Sequence, residues 1–130
     1  MKYSKGFTVI EILVVLAFLI GGSILFFTQK SAIDAATRDN QRKIAINAMY
    51  FSLEEAYYKD NQSYPESINS KVLRSVDPAL FTDPDGFAID DAGTDYHYDA
   101  TGCDLDGNCT GYTLSADMES EDTYEKTSRR

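Results

Sequence analysis

One carboxylate near the N-terminus could take part in charge pairing within an apolar environment. Glu11 is the only charged residue between Phe7 and Phe27, and no charge occurs from Ile12 to Phe27. As a helix, residues 7–27 would be about 31 Å long, enough to cross the roughly 30 Å hydrocarbon core of a bilayer. An ionised carboxylate at that depth costs up to a few kcal/mol and is normally paired. The sequence therefore predicts a partner cation for Glu11.

A second group of candidate residues lies around the dipeptide Asp106-Gly107. The positions of Asp104, Asp106 and Asn108 are similar to the start of a calcium-binding loop. An EF-hand would need glycine at position 109 and glutamate at position 115, where Cys109 and Ser115 stand. An EF-hand is therefore excluded.

No set of residues predicts catalysis. The chain has one histidine, two cysteines and no glycine-rich phosphate loop. On a strand, His97 would share a face with Asp95 and Asp99, and we expect that face to be solvated. We therefore predict that the protein is not an enzyme.

The charge of the chain is acidic and unevenly distributed. Its net charge is −9, which argues against direct binding to nucleic acid. Residues 75–125 contain 14 of the 21 acidic residues and no lysine or arginine, whereas residues 30–74 contain seven of the 12 basic residues. The acidic half is expected to form a solvated surface.

Three interpretations of the N-terminus follow from the residues. A secretory signal peptide would end in a small-x-small cleavage site, which the residues after Phe26 do not provide. A plain anchor, with Lys2 and Lys5 in the cytoplasm, leaves Glu11 unexplained. Cleavage between Gly6 and Phe7 would create an ammonium group four residues before Glu11, so that the two charges could neutralise each other within one chain or between neighbours.

The short basic leader ending in Gly6, followed by Phe7-Thr8-Val9-Ile10-Glu11-Ile12-Leu13-Val14-Val15, resembles the signature of type IV pilins and type II secretion pseudopilins. Residues 53–65 also resemble the stretch that closes the long helix in short members of this family. The resemblance implies removal of residues 1–6 by a prepilin peptidase, N-methylation of Phe7 and assembly into a helical filament. It also implies that Glu11 binds the N-terminus of an adjacent subunit.

One departure from the family pattern lies in the apolar segment. Many pilins have a proline there, whereas this chain has Gly21-Gly22 and no proline. Two glycines cost about 1 kcal/mol each relative to alanine in a helix. The pair could therefore loosen on assembly, or it could permit close packing of helices.

The helix is expected to continue beyond the membrane. Apolar residues recur on one face, and charged residues occupy the other. The apolar set is Ile33, Ala36, Ile44, Ala48, Phe51 and Ala56; the charged set is Asp34, Arg38, Asp39, Arg42 and Lys43. Asn61 and Gln62 are predicted to end the helix before Pro65. Arg38, Arg42 and Lys43 are expected to face the acidic head of an adjacent subunit.

The C-terminal half is predicted to contain turns and strands. Phe81 to Gly86 is dense in turn residues and is similar to the Asp-Pro-x-Gly turn of major pseudopilins. Residues 96–98 and 112–114 alternate with period two, which predicts a β-hairpin with Tyr96, Tyr98 and Tyr112 as its apolar filling. Because the anchor places Cys103 and Cys109 outside the cytoplasm, we expect them to form a disulfide.

The predicted fold is α+β, with a long N-terminal helix whose first half spans the membrane and a small antiparallel β-sheet head. The expected divisions are a leader (1–6), a membrane or filament-core helix (7–28), its amphipathic continuation (29–60), the head (61–118) and a disordered tail (119–130).

The predicted function is that of a type IV pilus-like subunit, which starts in the cytoplasmic membrane and ends in an extracellular filament on a prokaryotic cell. Its expected partners are other pilin subunits, the prepilin peptidase and the assembly machinery. A secretion pseudopilin and a membrane-anchored binding module remain as alternatives. No cofactor is expected, although the resemblance to pseudopilins leaves open a loose calcium site formed by Asp104, Asp106, Asp83 or Asp85.

Overall fold

The computed structural model describes residues 6–130, which fall into two units divided after Asp34. Helix α1, Val9–Phe51, begins in the first unit and ends in the second. Residues 1–5 of the predicted leader, including Lys2 and Lys5, lie outside the described residues. Gly6 and Phe7 are both exposed.

The first unit consists largely of helix whose side chains are exposed along its whole length. By length and composition this helix is apolar enough to cross a membrane, in agreement with the prediction of a membrane anchor. Two of its hydroxyls are bound to the helix backbone: Ser23 Oγ donates to Leu19 O at 2.7 Å and Thr28 Oγ1 to Leu25 O at 2.9 Å. These bonds satisfy both hydroxyls in an apolar environment. The helix also continues without a break through Gly21 and Gly22.

The helix changes its geometry before it ends. A π-helical segment, Ser52–Tyr57, follows α1, and a short helix α2, Tyr58–Asn61, completes the run. Gln62 then adopts a left-handed conformation with φ 55°, and its N–H donates to Tyr58 O at 2.8 Å. The predicted end of the helix at Asn61 and Gln62 is confirmed.

The second unit contains two antiparallel sheets. Strand β1, Tyr64–Pro65, pairs with β3, Asn108–Cys109. The larger sheet has the order β2-β4-β5, with β2 at Tyr96–Thr101, β4 at Gly111–Ala116 and β5 at Tyr124–Thr127. The predicted α+β class and the hairpin of β2 and β4 are confirmed.

The sheet packs on the C-terminal half of α1. Four residues recur on the buried side of the helix, Ala45, Ile46, Met49 and Leu53. They join Tyr96, Tyr112 and Leu114 of the sheet in one core. Residues 71–76 form turns from which Leu73 and Val76 enter the core.

The face of α1 that the sheet covers differs from the apolar face predicted from the sequence. Ile44 and Phe51 are 52% and 54% exposed, whereas Asp39 and Arg42, assigned to the polar face, are buried. The buried stripe from Ala45 to Leu53 is shorter than the predicted apolar face but continuous. Beside it, Asp39 and Arg42 are paired with each other and with groups of the head. Of the predicted apolar face, Ala48 and Ala56 are half-buried, whereas Ile44 and Phe51 are left uncovered by the single chain.

The prediction of a disordered tail at residues 119–130 is wrong. Strand β5 pairs with β4 in the register Ala116↔Tyr124 to Thr113↔Thr127. Each end of the segment is bound to α1 or to the π-helical segment that follows it: Glu119 accepts from Arg42, and Arg129 N–H donates to Glu54. The polar composition of the segment indicated disorder, but its charges have specific partners.

Truncation tests the structural role of this segment. A chain ending at Met118 should lose about 3 kcal/mol or more of head stability, because Asp39 and Arg42 lose partners while they remain buried. A chain ending at Ser128, which keeps β5 and Glu119, should lose much less. Eight of the nine tyrosines lie in the second unit, so near-ultraviolet circular dichroism during urea unfolding reports on the head. Equal stability of both truncated chains and the full chain would contradict the structure.

Candidate functional site

The predicted assembly residue Glu11 takes part in capping the first turn of α1. Thr8 N–H donates to Glu11 Oε2 at 3.3 Å, and Glu11 N–H donates to Thr8 Oγ1 at 3.3 Å. This reciprocal pair is a capping box, which satisfies backbone donors at a helix N-terminus. The spacing Thr-x-x-Glu could have predicted it. Glutamine can fill the same place in a capping box, so this role does not require the negative charge of Glu11.

A buried guanidinium forms the centre of a charge cluster in the head. The Arg42 side chain is 1% exposed. Its Nη1 donates to Asp39 Oδ1 at 3.1 Å and to Glu119 Oε1 at 2.8 Å. Its Nη2 donates to Asp85 Oδ2 at 2.9 Å and to Asp95 Oδ2 at 2.6 Å, and its Nε also donates to Asp95. Each of the three guanidinium nitrogens thus donates to at least one carboxylate. A buried charge requires such partners.

Each carboxylate of the cluster comes from a different part of the second unit. Asp39 lies on α1, Asp85 in the turn before β2, Asp95 directly before β2, and Glu119 after β4. Arg38 adds a second cation, with its Nε and Nη2 each 2.6 Å from Glu119. The cluster thereby connects the helix, the turn region and the C-terminal segment.

The cluster lowers the pKa of two of its acids. Burial opposes ionisation of Asp39, but hydrogen bonds from Ser120 and the backbone of Glu119, together with Arg42, overcome it and lower the pKa to about 2. Hydrogen bonds from Arg38 and Arg42 lower the pKa of Glu119 to about 2. Both groups therefore remain charged at neutral pH and stabilise the fold in that form.

The expected contact between Arg38, Arg42 and Lys43 and the head of an adjacent subunit is replaced by contacts within one chain. Arg38 and Arg42 bind Glu119, and Lys43 Nζ lies 2.7 Å from Glu121 Oε2. The separation of basic and acidic residues along the sequence correctly indicated that the two sets form ion pairs. The pairs, however, join the head to the helix of the same chain.

A second buried carboxylate lies in the π-helical segment. Glu54 Oε1 accepts from Tyr64 Oη at 3.1 Å, from Tyr112 Oη at 3.0 Å and from Arg129 N at 3.2 Å. Burial and the carboxylate together raise the pKa of the Tyr64 hydroxyl to about 12. Both tyrosines therefore stay protonated and donate. Tyr112 fills the core as predicted, but nothing in the sequence distinguished Glu54 from its neighbour Glu55.

Most of the candidate calcium ligands are already used by donors of the protein. Asp83 is buried, and its carboxylate accepts from the N–H groups of Asp85, Phe87 and Asp95 and from Thr94 Oγ1. Asp85 is bound by Arg42, as described above. Among residues 6–130, no group of three or more acidic, histidine or cysteine side chains could hold a metal. In this arrangement Asp83 and Asp85 do not fit a calcium site, and the expectation of no cofactor stays a prediction.

The predicted disulfide Cys103–Cys109 is present and closes a tight loop. Within the loop, Asp104 Oδ1 accepts from the N–H groups of Asp106 and Asn108 at 3.0 and 2.9 Å. These backbone bonds, with a further bond from the Asn108 side chain, lower the pKa of Asp104. Asp104 therefore shapes the loop, whereas Asp106 is exposed at its tip.

The only histidine lies on the solvated face of β2, as expected. His97 Nε2 is 3.0 Å from Asp117 Oδ2, and both side chains are largely exposed. The predicted neighbours Asp95 and Asp99 do not contact it in this way; Asp95 instead binds Arg42.

The residues that organise the head, Arg42 and Glu54, were not selected from the sequence as buried groups.

Comparisons of the chain with protein-family models, with curated proteins and with solved structures find no match.

Replacement of the buried guanidinium tests the cluster. Arg42→Met keeps the apolar stem but leaves Asp39 buried without its cation, and we expect a loss of about 3 to 5 kcal/mol in the free energy of unfolding. The matched control is Arg38→Met, because the Arg38–Glu119 pair is partly exposed and should contribute about 1 kcal/mol or less. Urea unfolding of the head would measure both values. Similar losses in the two variants would show that Arg42 has no special role.

The low pKa values of Asp39 and Glu119 predict a loss of stability in acid. Both pKa values are depressed on folding, so the contribution is complete above about pH 5 and disappears as the pH falls towards 2. Asp39→Asn should be less stable than wild type at pH 7 and should show a shallower decline between pH 5 and 3. Asp99→Asn, at an exposed position of β2, serves as the control. An Asp39→Asn profile parallel to wild type would refute the assignment.

Proposed function

We propose that this protein is a subunit of a type IV pilus-like filament, inserted in the cytoplasmic membrane through the N-terminal half of α1 and assembled outside the cell. A prepilin peptidase removes residues 1–6, and Phe7 is methylated. The observation that supports the proposal most directly is the apolar surface that the chain leaves uncovered on all sides of the helix up to Phe27.

This surface needs an apolar environment throughout its length. A helix that is apolar all round is stable only in a membrane or inside an assembly. Large side chains such as Phe18 and Phe26 are 78% and 65% exposed. A bilayer covers them before assembly, and the corresponding helices of neighbouring subunits cover them in a filament.

The second half of α1 also has a side available for neighbours. The head covers the side of Ala45, Met49 and Leu53, while Ile44 and Phe51 point away from it and are exposed. In a monomeric anchor both residues would stay exposed to water. In a filament the same residues extend the contact between helices beyond the membrane segment.

Glu11 supplies the charge that selects neighbouring subunits. Cleavage before Phe7 creates an ammonium group, and a carboxylate and an ammonium stabilise each other in an apolar core when both are brought there together. The capping box uses one oxygen of Glu11, so the carboxylate can also accept from a neighbour.

A secretion pseudopilin is the second candidate, favoured by the turn at Asp83-Pro84-Asp85-Gly86. The neighbouring genes would distinguish the two, through a retraction motor or an outer-membrane secretin cluster.

The function is tested by Glu11→Gln. The variant keeps a residue that can complete the capping box but leaves the Phe7 ammonium of a neighbour with a neutral partner. Loss of one member of a buried pair costs about 3 to 5 kcal/mol, so filament yield should collapse while membrane insertion stays equal or improves. The measurement is the ratio of filament to membrane-inserted subunit.

Thr8→Ala is the matched control for this experiment. It weakens the cap by about 1 kcal/mol and leaves the charge of Glu11, so its filament yield should stay close to that of wild type. Normal polymerisation of Glu11→Gln would contradict the pairing and assign Glu11 to another step, such as recognition by the peptidase. A wild-type chain that stays monomeric in the presence of the assembly machinery would favour the membrane-anchored binding module.

A further inference from the structure

The disulfide loop presents one large apolar side chain to solvent. Leu105 is fully exposed at the tip, between Asp104 and Asp106. The loop is held by the Cys103–Cys109 disulfide and by backbone bonds from Asp104 N–H to Asn108 O and from Gly107 N–H to Asp104 O. A leucine fixed in this way loses little conformational freedom on binding, which favours its use as a contact residue.

A groove elsewhere in the second unit is large enough to receive such a side chain. It lies between the end of the long helix and the turn at residues 71–75, with a volume of about 410 Å³. Ala56 and Val72, both half-buried, contribute apolar surface to its lining, and Ser52 and Ser75 join across it through a 2.6 Å hydrogen bond between their hydroxyls. The groove therefore offers an apolar site for a single side chain.

The charges around the loop and the groove are opposite in sign. Lys71 and Arg74 line the groove together with Asp60, so cations are in excess there. Within the described residues, neither Lys71 nor Arg74 forms an ion pair. The loop carries two acids beside Leu105. Opposite charges at the rim direct an apolar contact at its centre to the correct partner.

We propose that Leu105 of one copy inserts into the groove of a second copy, with Asp106 facing Lys71 or Arg74. This inference rests on the proposed filament function and names a contact between neighbouring heads. No residue of the loop lines the groove, so one copy can use its loop and its groove at the same time with two different neighbours. Such a head-to-tail contact is heterologous, and a heterologous contact that does not close generates a helical filament.

The acids of the loop make other partners less favourable. An anionic lipid surface and a nucleic acid backbone would both repel Asp104 and Asp106. A second copy of the chain instead brings the cations and the apolar groove together in one surface.

Photo-cross-linking tests the contact in assembled filaments of the full chain. With benzoylphenylalanine in place of Leu105, the cross-link should join two copies and map to residues 52–61 or 71–75. The control carries the same group at Phe87, which is an exposed apolar position outside both surfaces. Cross-links from position 105 to other parts of the neighbour, or none between copies, would overturn the proposal.

Charge reversal provides a second, independent readout. Leu105→Ser should lower filament yield by about tenfold or more, as expected for the loss of one buried leucine. Asp106→Lys and Lys71→Glu with Arg74→Glu should each lower it by a few fold, and the three changes together should restore it. The altered side chains are exposed, and near-ultraviolet circular dichroism checks that the heads remain folded.

The outcomes separate this contact from the proposed function. If wild type forms filaments and the variants form them equally well, the contact is wrong and the filament function stands. If wild type forms no filaments, both are wrong. Binding of a small apolar acid to the groove, detected by native mass spectrometry in place of cross-links between copies, would also overturn the contact.

Discussion

The Arg42 guanidinium is the interaction on which the head depends. A buried cation is stable only when acceptors surround it, and its four carboxylates come from α1, from the turn at Asp85, from Asp95 and from the C-terminal segment. Because these parts are distant in sequence, the requirement to neutralise one charge brings them together on the helix. The apolar core of Ile46, Met49 and Leu114 lies in the same unit as the cluster.

The same arrangement divides the helix by function. The side that carries Arg42 is used for folding, and the side that carries Ile44 and Phe51 stays exposed. Within the described residues, the side chains of the N-terminal unit, residues 6–34, are exposed throughout. The ion pairs of the helix are thus used within the chain, and its exposed apolar surfaces are the ones that the proposed filament would cover.

The sequence predicted the elements whose signals are local. The long helix, its end near Asn61, the hairpin and the disulfide follow from apolar length, turn residues and cysteine spacing. The ordered tail and the covered face of α1 could not be predicted in this way, because both depend on long-range pairs such as Arg42 with Glu119 and Arg129 with Glu54. A polar segment looks disordered until the partners of its charges are known. The capping box at Thr8 and Glu11 was readable from its spacing.

Mass spectrometry of the N-terminal peptide, taken from protein purified from the native cell surface, tests the proposed processing at Phe7. We predict a chain that begins at Phe7 with one added methyl group on its amino nitrogen and retains Glu11 unmodified. A surface-exposed chain that still carries Met1 to Gly6 would contradict it, because the ammonium that pairs with Glu11 would then not exist at the head of the apolar helix.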